Sequence, residues 1–313
     1  MADALFPPLE PYASGWLDSA DGHRIWHEQC GNPQGAPVVF LHGGPGSCTN
    51  PDHRRFFDPA FYRIVLLDQR GCGRSTPRGE VQGNTTPHLL DDLERLRLEL
   101  GVQCWMLFGG SWGSTLALAY AQAYPGAVSG LVLRGLFLAS DDEVTWFVTG
   151  MSRFLPEAWS AFAADVDDQS CAGLLRHYHA RVAMNDVAAA GRWNAWESSV
   201  MAVGEAAAAS LAPDMGAALG RVRIQLHYLI NSCFLAPGQL LRELERLGRL
   251  PAILVQGRRD LVCPPGTAYT VARRWPGAQL RMVEEGGHSS MHPAMARALV
   301  QATQDMQRLV API

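Results

Sequence analysis

The sequence has 313 residues, of which 48% are hydrophobic and 18% are charged, and its formal net charge is −4. This length suits one large α/β domain with an insertion. The charge balance excludes the basic surface of a nucleic-acid-binding protein, and no Lys/Arg run predicts contact with a membrane surface. Residues 1–10 lack the pattern of a secretory signal, and no apolar run approaches the roughly 18 residues that span a bilayer. The seven cysteines are scattered without a C-x-x-C motif, so we expect reduced thiols in a cytoplasmic protein.

The first third of the chain contains four short strand patterns. They are residues 14–18, 23–28, 37–41 and 62–67. The first two flank an Asp-Gly turn, and the last two are apolar, β-branched runs typical of buried strands. Leucines at helical spacing then predict a helix that has Thr86 as its N-cap and Pro87 at its first position, and that ends at Gly101.

Two glycine-rich loops follow the third and fourth strand patterns. Residues 42–46 read His-Gly-Gly-Pro-Gly, and a glycine there lets the backbone approach a tetrahedral intermediate closely. We predict that Gly44 donates one hydrogen bond to an oxyanion. Residues 68–75 are rich in polar groups, and we interpret this loop as structural support beside the site.

Residues 109–113 read Gly-Gly-Ser-Trp-Gly, between an apolar run at 105–108 and an alanine-rich helical pattern at 114–124. A strand, a sharp turn and a helix are the context that the G-x-S-x-G nucleophile elbow requires. The pattern predicts Ser111 as a nucleophile and the backbone N–H of Trp112 as the second oxyanion donor.

The second half of the chain interrupts the strand and helix alternation. A strand pattern at 130–134 is followed by residues 136–247, which are helical in pattern and rich in alanine and tryptophan. The alternation resumes with strands at 251–256 and 278–283 and a helix at 293–310. We therefore predict a mostly parallel sheet covered on both faces, with an α/β core of residues 1–135 and 248–313 and a helical cap domain of residues 136–247.

A serine nucleophile needs a base, and the base needs an orienting acid. Asp260 follows the strand at 251–256, and His288 lies in a glycine-flanked loop after the next strand, which matches the order Ser, Asp, His of this architecture. The rival acids Asp141, Asp142, Glu284 and Glu285, and the rival nucleophiles Cys72 and Cys263, are weaker candidates. His292 lies four residues after His288, but no third ligand accompanies them, so no metal site is predicted.

These motifs together resemble the proline iminopeptidases of the α/β-hydrolase fold. The resemblance rests on residues 42–46, 68–75, 109–116, 257–260 and 287–288. It implies removal of N-terminal proline from small peptides, without a cofactor.

The resemblance extends to the predicted cap. Residues 193–197 read Trp-Asn-Ala-Trp-Glu and are similar to the family's W-x-x-W-E motif, which implies that Glu197 binds the free amino terminus of the substrate. Trp196, Gln225 and Tyr228 are the other substrate-binding candidates. The family's E-x-H-Y pattern is Gln-Leu-His-Tyr here, so Gln225 stands where a second glutamate is usual.

Three functions remain open at this point. The first is a serine aminopeptidase that acts through Ser111, His288 and Asp260 and takes small peptides with a free N-terminus. The second is an esterase or amidase of the same fold, favoured by the uncharged Gln225. The third is a non-catalytic ligand-binding protein on a hydrolase scaffold. The sequence makes no prediction of oligomeric state.

Overall fold

The computed structural model describes residues 4–203 and 215–310. The strands are β1 (Ala13–Asp18), β2 (Arg24–Gly31), β3 (Ala36–Leu41), β4 (Tyr62–Leu67), β5 (Trp105–Ser111), β6 (Val128–Leu136), β7 (Ala252–Gly257) and β8 (Ala278–Val283). The helices are α1 (Thr86–Glu99), α2 (Trp112–Ala123), α3 (Asp141–Val148), α4 (Pro156–Phe162), α5 (Cys171–Ala183), α6 (Val187–Ala202), α7 (Met215–Ile230), α8 (Gln239–Arg242), α9 (Pro265–Arg274) and α10 (Pro293–Val310). None of these helices is long and apolar enough to cross a membrane.

The strands form one eight-stranded sheet in the order β1-β2-β4-β3-β5-β6-β7-β8. The pairs β1/β2 and β2/β4 are antiparallel, and every other pair is parallel. Alternate residues of β3 enter opposite core layers: Val39 and Leu41 pack on one side, and Val38 and Phe40 on the other. Burial on both faces explains the continuous apolar run of this strand.

The predicted elements are found with small shifts. The strand at 62–67, the strand at 278–283 and the helix at 293–310 have the expected bounds. The prediction of Thr86 as an N-cap is wrong, because Thr85 holds that position and Thr86 is the first helical residue. The Thr86 hydroxyl instead donates to the Cys233 carbonyl oxygen at 2.5 Å. The side chain expected to cap the helix therefore makes a tertiary contact.

Helices α3 to α8 all lie between β6 and β7, and no strand interrupts them within the described residues. We call α3 to α8 the helical insertion. Residues 204–214 of the predicted cap lie outside the described residues. The mostly parallel sheet with inserted helices confirms the predicted fold class, whereas the domain boundaries at 136 and 247 stay a prediction.

Candidate active site

Ser111 lies at the turn between β5 and α2, with φ 57° and ψ −125°. A Cβ on Gly109 would lie 2.2 Å from the Gly113 carbonyl oxygen, and one on Gly113 would lie 2.1 Å from that of Leu41. Both contacts are impossibly short, so only glycine permits this approach of turn and strand. The geometry is that of a nucleophile elbow, with the serine held in strained backbone.

Asp260 and His288 meet beyond the carboxyl ends of β7 and β8. The Asp260 side chain is fully buried, and its Oδ1 accepts hydrogen bonds from the backbone N–H groups of Val262 at 3.0 Å and Cys263 at 2.8 Å. The His288 Nδ1 lies 2.9 Å from Oδ2 of Asp260. Because the carboxylate can only accept, Nδ1 carries a proton and Nε2 of the neutral ring is left as an acceptor.

The other candidate acids lie elsewhere. Asp141 and Asp142 are exposed in the first turn of α3, and Glu284 pairs with Arg258 at 3.0 Å on the surface. The structure therefore brings only Asp260, among these carboxylates, into contact with the His288 ring.

Arg134 is a site residue that the sequence analysis missed. Its Nη1 donates to the His288 carbonyl oxygen at 2.8 Å and lies 3.2 Å from the His288 Nε2. Arg134 is the one charged residue of β6 and stands near the carboxyl end of that strand, which is the signal that could have identified it. No hydrogen bond joins the Ser111 hydroxyl to His288 in this arrangement, in the part of the chain that the structure describes.

Cys263 lies beside the predicted nucleophile, with its Sγ 4.0 Å from the Ser111 Oγ. Burial, reinforced by the Asp260 charge, raises the pKa of the Cys263 thiol well above its ordinary range. The thiol stays protonated near neutral pH and is a poor nucleophile. Burial raises the pKa of the Cys72 thiol as well.

The predicted oxyanion donors lie in two segments that Gln69 connects, the loop at 42–46 and the start of α2. The Gln69 backbone N–H donates to Nε2 of His42 at 3.0 Å, and its side-chain amide donates to the His42 carbonyl oxygen at 2.9 Å. Its Oε1 accepts from Nε1 of Trp112 at 2.8 Å. Gly44 has φ 117°, a conformation that favours glycine, and Trp112 is the first residue of α2, whose N–H has no partner within the helix.

His42 is neutral in this arrangement. Its Nε2 accepts from Gln69, so Nδ1 carries the proton and donates to the Gly43 carbonyl oxygen at 2.9 Å. Burial lowers the pKa of His42 below its ordinary value.

The loop at 68–75 supports the loop at 42–46, which we call the oxyanion loop, through buried polar contacts. Asp68 accepts from the Thr49 backbone N–H at 2.8 Å and from Nε of Arg74 at 2.8 Å. Burial opposes ionisation, but the hydrogen bond from Arg74 and its neighbours hold the pKa of Asp68 below its ordinary value. These contacts bear out the interpretation of this loop as structural support.

One cavity of about 770 Å³ opens above Ser111. The core contributes Ser111, Arg134 and His288 to its lining, and the helical insertion contributes Phe147, Glu197, Met201, Arg221, Gln225 and Leu229. The insertion therefore supplies much of the wall that faces the nucleophile. Within the described residues, no group of three or more His, Cys, Asp or Glu side chains could hold a metal ion.

Two of the four predicted substrate-binding side chains do not reach this cavity. Trp196 is 1% exposed, its ring lies 5.1 Å from that of Phe162, and its Nε1 donates to the Phe147 carbonyl oxygen at 3.2 Å. The hydroxyl of Tyr228 donates to Oδ1 of Asn84 at 2.8 Å. Both side chains are packed in the core, where they support the walls of the site.

Comparison with known proteins identifies the family and the fold. Residues 36–294 match the family model of the alpha/beta hydrolase fold. The proline iminopeptidase of Xanthomonas citri is 46% identical, over 96% of this chain and 98% of the relative. That of Arabidopsis thaliana is 42% identical, over 98% of this chain and 83% of the relative. A crystal structure of an esterase from Rhodococcus sp. ECU1013 is 20% identical with a TM-score of 0.61, covers 95% of this chain and 99% of its own, and shows the shared fold alone.

Proposed function

This chain belongs to the proline iminopeptidase family of α/β hydrolases, and from that premise we propose that it is a serine aminopeptidase that releases N-terminal proline from peptides. The observation that carries the proposal is the cavity, in which Ser111 and His288 face Glu197. A nucleophile and its base at one wall, with a carboxylate at the other, suit a substrate that has a scissile carbonyl close to a cationic end.

In the proposed reaction, Ser111 attacks the carbonyl carbon of the first residue. His288 takes the hydroxyl proton on Nε2 and passes it to the leaving amine, while Asp260 holds the proton on Nδ1 and stabilises the imidazolium. An acyl-enzyme forms, and water hydrolyses it by the same steps. Because Nε2 must accept from Ser111, Arg134 gives up its approach to this nitrogen when the substrate binds, a rearrangement common between free and occupied sites.

The Gly44 and Trp112 amides are the proposed oxyanion donors. Gln69 binds the nearby His42 carbonyl oxygen and the Trp112 indole, and these contacts help to preorganise both donors before charge develops on the carbonyl oxygen. Loss of one such donor costs about 3–4 kcal/mol of transition-state stabilisation in comparable enzymes.

Glu197 is the proposed partner of the substrate's amino group. A charge-assisted hydrogen bond from an ammonium is stronger than a neutral one. A carboxylate that binds the amino terminus at a fixed position relative to Ser111 would place the carbonyl of the first residue at the nucleophile. Burial opposes its ionisation, but the Arg221 charge and hydrogen bond outweigh this effect and hold the pKa of Glu197 below its ordinary value. Glu197 is therefore a carboxylate at neutral pH.

A second candidate is an esterase or amidase activity with relaxed selection of the amino terminus. Gln225 favours it, because this side chain lines the cavity but brings no charge to an ammonium. For location we propose the cytoplasm: all seven cysteines are free thiols, which suits a reducing compartment.

A substrate panel tests the proposal. Purified protein is assayed with L-proline p-nitroanilide, its N-acetyl analogue and p-nitrophenyl acetate, and we expect the free-amine anilide to have the highest kcat/KM. The Ser111→Ala variant is expected to lose at least about 10³-fold in kcat with all three. Preference for the acetylated anilide or the ester would reject the aminopeptidase in favour of the second candidate, and full activity of Ser111→Ala would reject the nucleophile.

A further inference from the structure

The carboxylate proposed to receive the substrate's ammonium already has a cationic partner within the protein. Arg221 donates from Nη2 to Oε2 of Glu197, and the same guanidinium nitrogen donates to Oδ1 of Asn194. The side chains of Arg221 and Glu197 are 28% and 17% exposed, and both line the cavity above Ser111. The ion pair is thus largely shielded from solvent yet open to whatever enters the cavity.

The second oxygen of this carboxylate is also occupied. Nε2 of Gln225 donates to Oε1 of Glu197 at 2.9 Å, and Oε1 of Gln225 accepts from Nε1 of Trp193 at 2.8 Å. The indole can only donate, so it fixes the amide with its NH₂ toward Glu197. Arg221 and Gln225 stand four residues apart on α7, which places both donors on one helix face toward α6.

The position of Arg221 is set by the packing of α7 on the core. A Cβ on Gly46, in the oxyanion loop, would lie 2.5 Å from the Arg221 carbonyl oxygen. This close backbone contact fixes the start of the Arg221 side chain against the loop next to the nucleophile.

The rest of the cavity offers no surplus negative charge. Its described lining holds two carboxylates, Glu143 and Glu197, and two guanidiniums, Arg134 and Arg221. Glu143 is held by hydroxyl donors, Ser140 at 2.8 Å and Thr267 at 2.9 Å. The formal charges of these four side chains cancel, so an ammonium approaches Glu197 against the charge of Arg221.

We propose that Arg221 is a specificity-determining residue, whose guanidinium competes with the substrate's ammonium for Glu197 and weakens the selection of free over blocked amino termini. The inference rests on the proposed role of Glu197 in amine binding. A substrate ammonium can bind only by sharing the carboxylate with Arg221 or displacing it. The effect falls on ground-state binding, so it should appear in KM, with kcat nearly unchanged.

The test replaces Arg221 with glutamine, which keeps a hydrogen-bond donor and removes the charge. We expect KM for L-proline p-nitroanilide to fall about tenfold, kcat to stay within about twofold, and KM for the N-acetyl analogue to stay unchanged. Arg221→Lys keeps the charge and should keep the wild-type KM. The matched control is Arg223→Gln on the same helix, because Arg223 donates to Oδ1 of Asn185 at 2.7 Å, away from the cavity, and should leave every constant unchanged.

A binding measurement separates this inference from the proposed function. Calorimetry on Ser111→Ala, with and without Arg221→Gln, measures the Kd of L-prolinamide and of N-acetyl-L-prolinamide without turnover. We expect only the cationic ligand to bind about tenfold more tightly when the arginine is removed. A weaker or unchanged Kd for L-prolinamide would overturn the inference and would assign Arg221 to orienting Glu197. If wild-type protein leaves L-proline p-nitroanilide intact, the proposed function fails, and the two Kd values still decide the role of Arg221.

Discussion

Replacing Asp260 with asparagine converts one of its two carboxylate oxygens into an NH₂ donor. The hydrogen-bond donors around the side chain determine which of the two positions the NH₂ group takes. The backbone N–H groups of Val262 and Cys263 converge on Oδ1 at 3.0 and 2.8 Å. An amide nitrogen at this position would face two donors, so the asparagine oxygen must occupy it. The NH₂ then takes the place of Oδ2, which lies 2.9 Å from Nδ1 of His288.

This orientation favours the wrong tautomer of His288, because the NH₂ takes the position nearer to Nδ1, at 2.9 Å against 3.0 Å for the retained oxygen. The asparagine NH₂ donates to Nδ1, the ring proton moves to Nε2, and that nitrogen can no longer take the proton of Ser111. The same exchange in a serine protease with this triad lowers kcat by about 10⁴-fold, or about 5.4 kcal/mol at 1.36 kcal/mol per factor of ten. We expect a loss of this size, with a melting temperature close to that of the wild type because the hydrogen-bond geometry is kept.

The assay is kcat for L-proline p-nitroanilide at saturating substrate. The control is Asp141→Asn, since Asp141 is the rival acid and lies exposed in the first turn of α3. We expect this control to keep wild-type kcat. A loss below about tenfold in Asp260→Asn, or a loss in the control comparable to 10⁴-fold, would refute the assignment of the orienting acid.

Three further predictions address the surroundings of the proposed triad. Gly135 has φ 53°, and the new Cβ of Gly135→Ala would lie 3.0 Å from a carboxylate oxygen of Asp260, so we expect kcat to fall and stability to drop by about 1–3 kcal/mol. Gly126→Ala, with nothing within 4 Å of the new Cβ, should be neutral. Burial, together with the charge of Arg134, lowers the pKa of His53 from 6.5 to about 4, so below pH 6.5 the unfolded chain binds a proton that the folded chain does not. The free energy of unfolding should therefore fall by up to about 2 kcal/mol from pH 6.5 to 5 in urea titrations, and a curve for His53→Gln that keeps this slope would contradict the assignment. Glu197→Gln leaves Arg221 as an unpaired cation facing the ammonium, so KM for the free-amine anilide should rise at least about tenfold while p-nitrophenyl acetate turnover persists; an unchanged KM would exclude Glu197 from amine binding.

The fold could be predicted from sequence because its elements follow from local patterns. The apolar run at 62–67 and the amphipathic pattern at 293–310 have the same bounds in the structure as in the prediction. Glycines are required at 109 and 113 because adjacent backbone leaves no room for a Cβ, and this requirement can be recognised in the sequence. The family and its reaction class could also be inferred from the sequence, because each motif is a short run of neighbouring residues.

The contacts of single side chains were less accessible to prediction. Trp196 and Tyr228 belong to motifs of the resemblance, yet their rings are in the core. Trp196 packs against Phe162, and Tyr228 packs against Trp112. The sequence motifs do not reveal these contacts, because they depend on how the insertion packs against itself and against α2. Arg134 is visible in sequence only as a charge in an apolar strand. Its approach to His288 joins residues 154 positions apart.

The amino-acid sequence by itself determined the elbow around Ser111, the order of Asp260 and His288 after their strands, and the sheet that brings them to one edge. These features depend on local periodicity and on chain order in a parallel sheet. Only the tertiary structure decided that Arg221 on α7 pairs with Glu197 on α6, 24 positions earlier in the chain. Helical periodicity predicts which side chains share one face of a helix. The residues that this face contacts depend on the packing of α6 against α7, above Ser111.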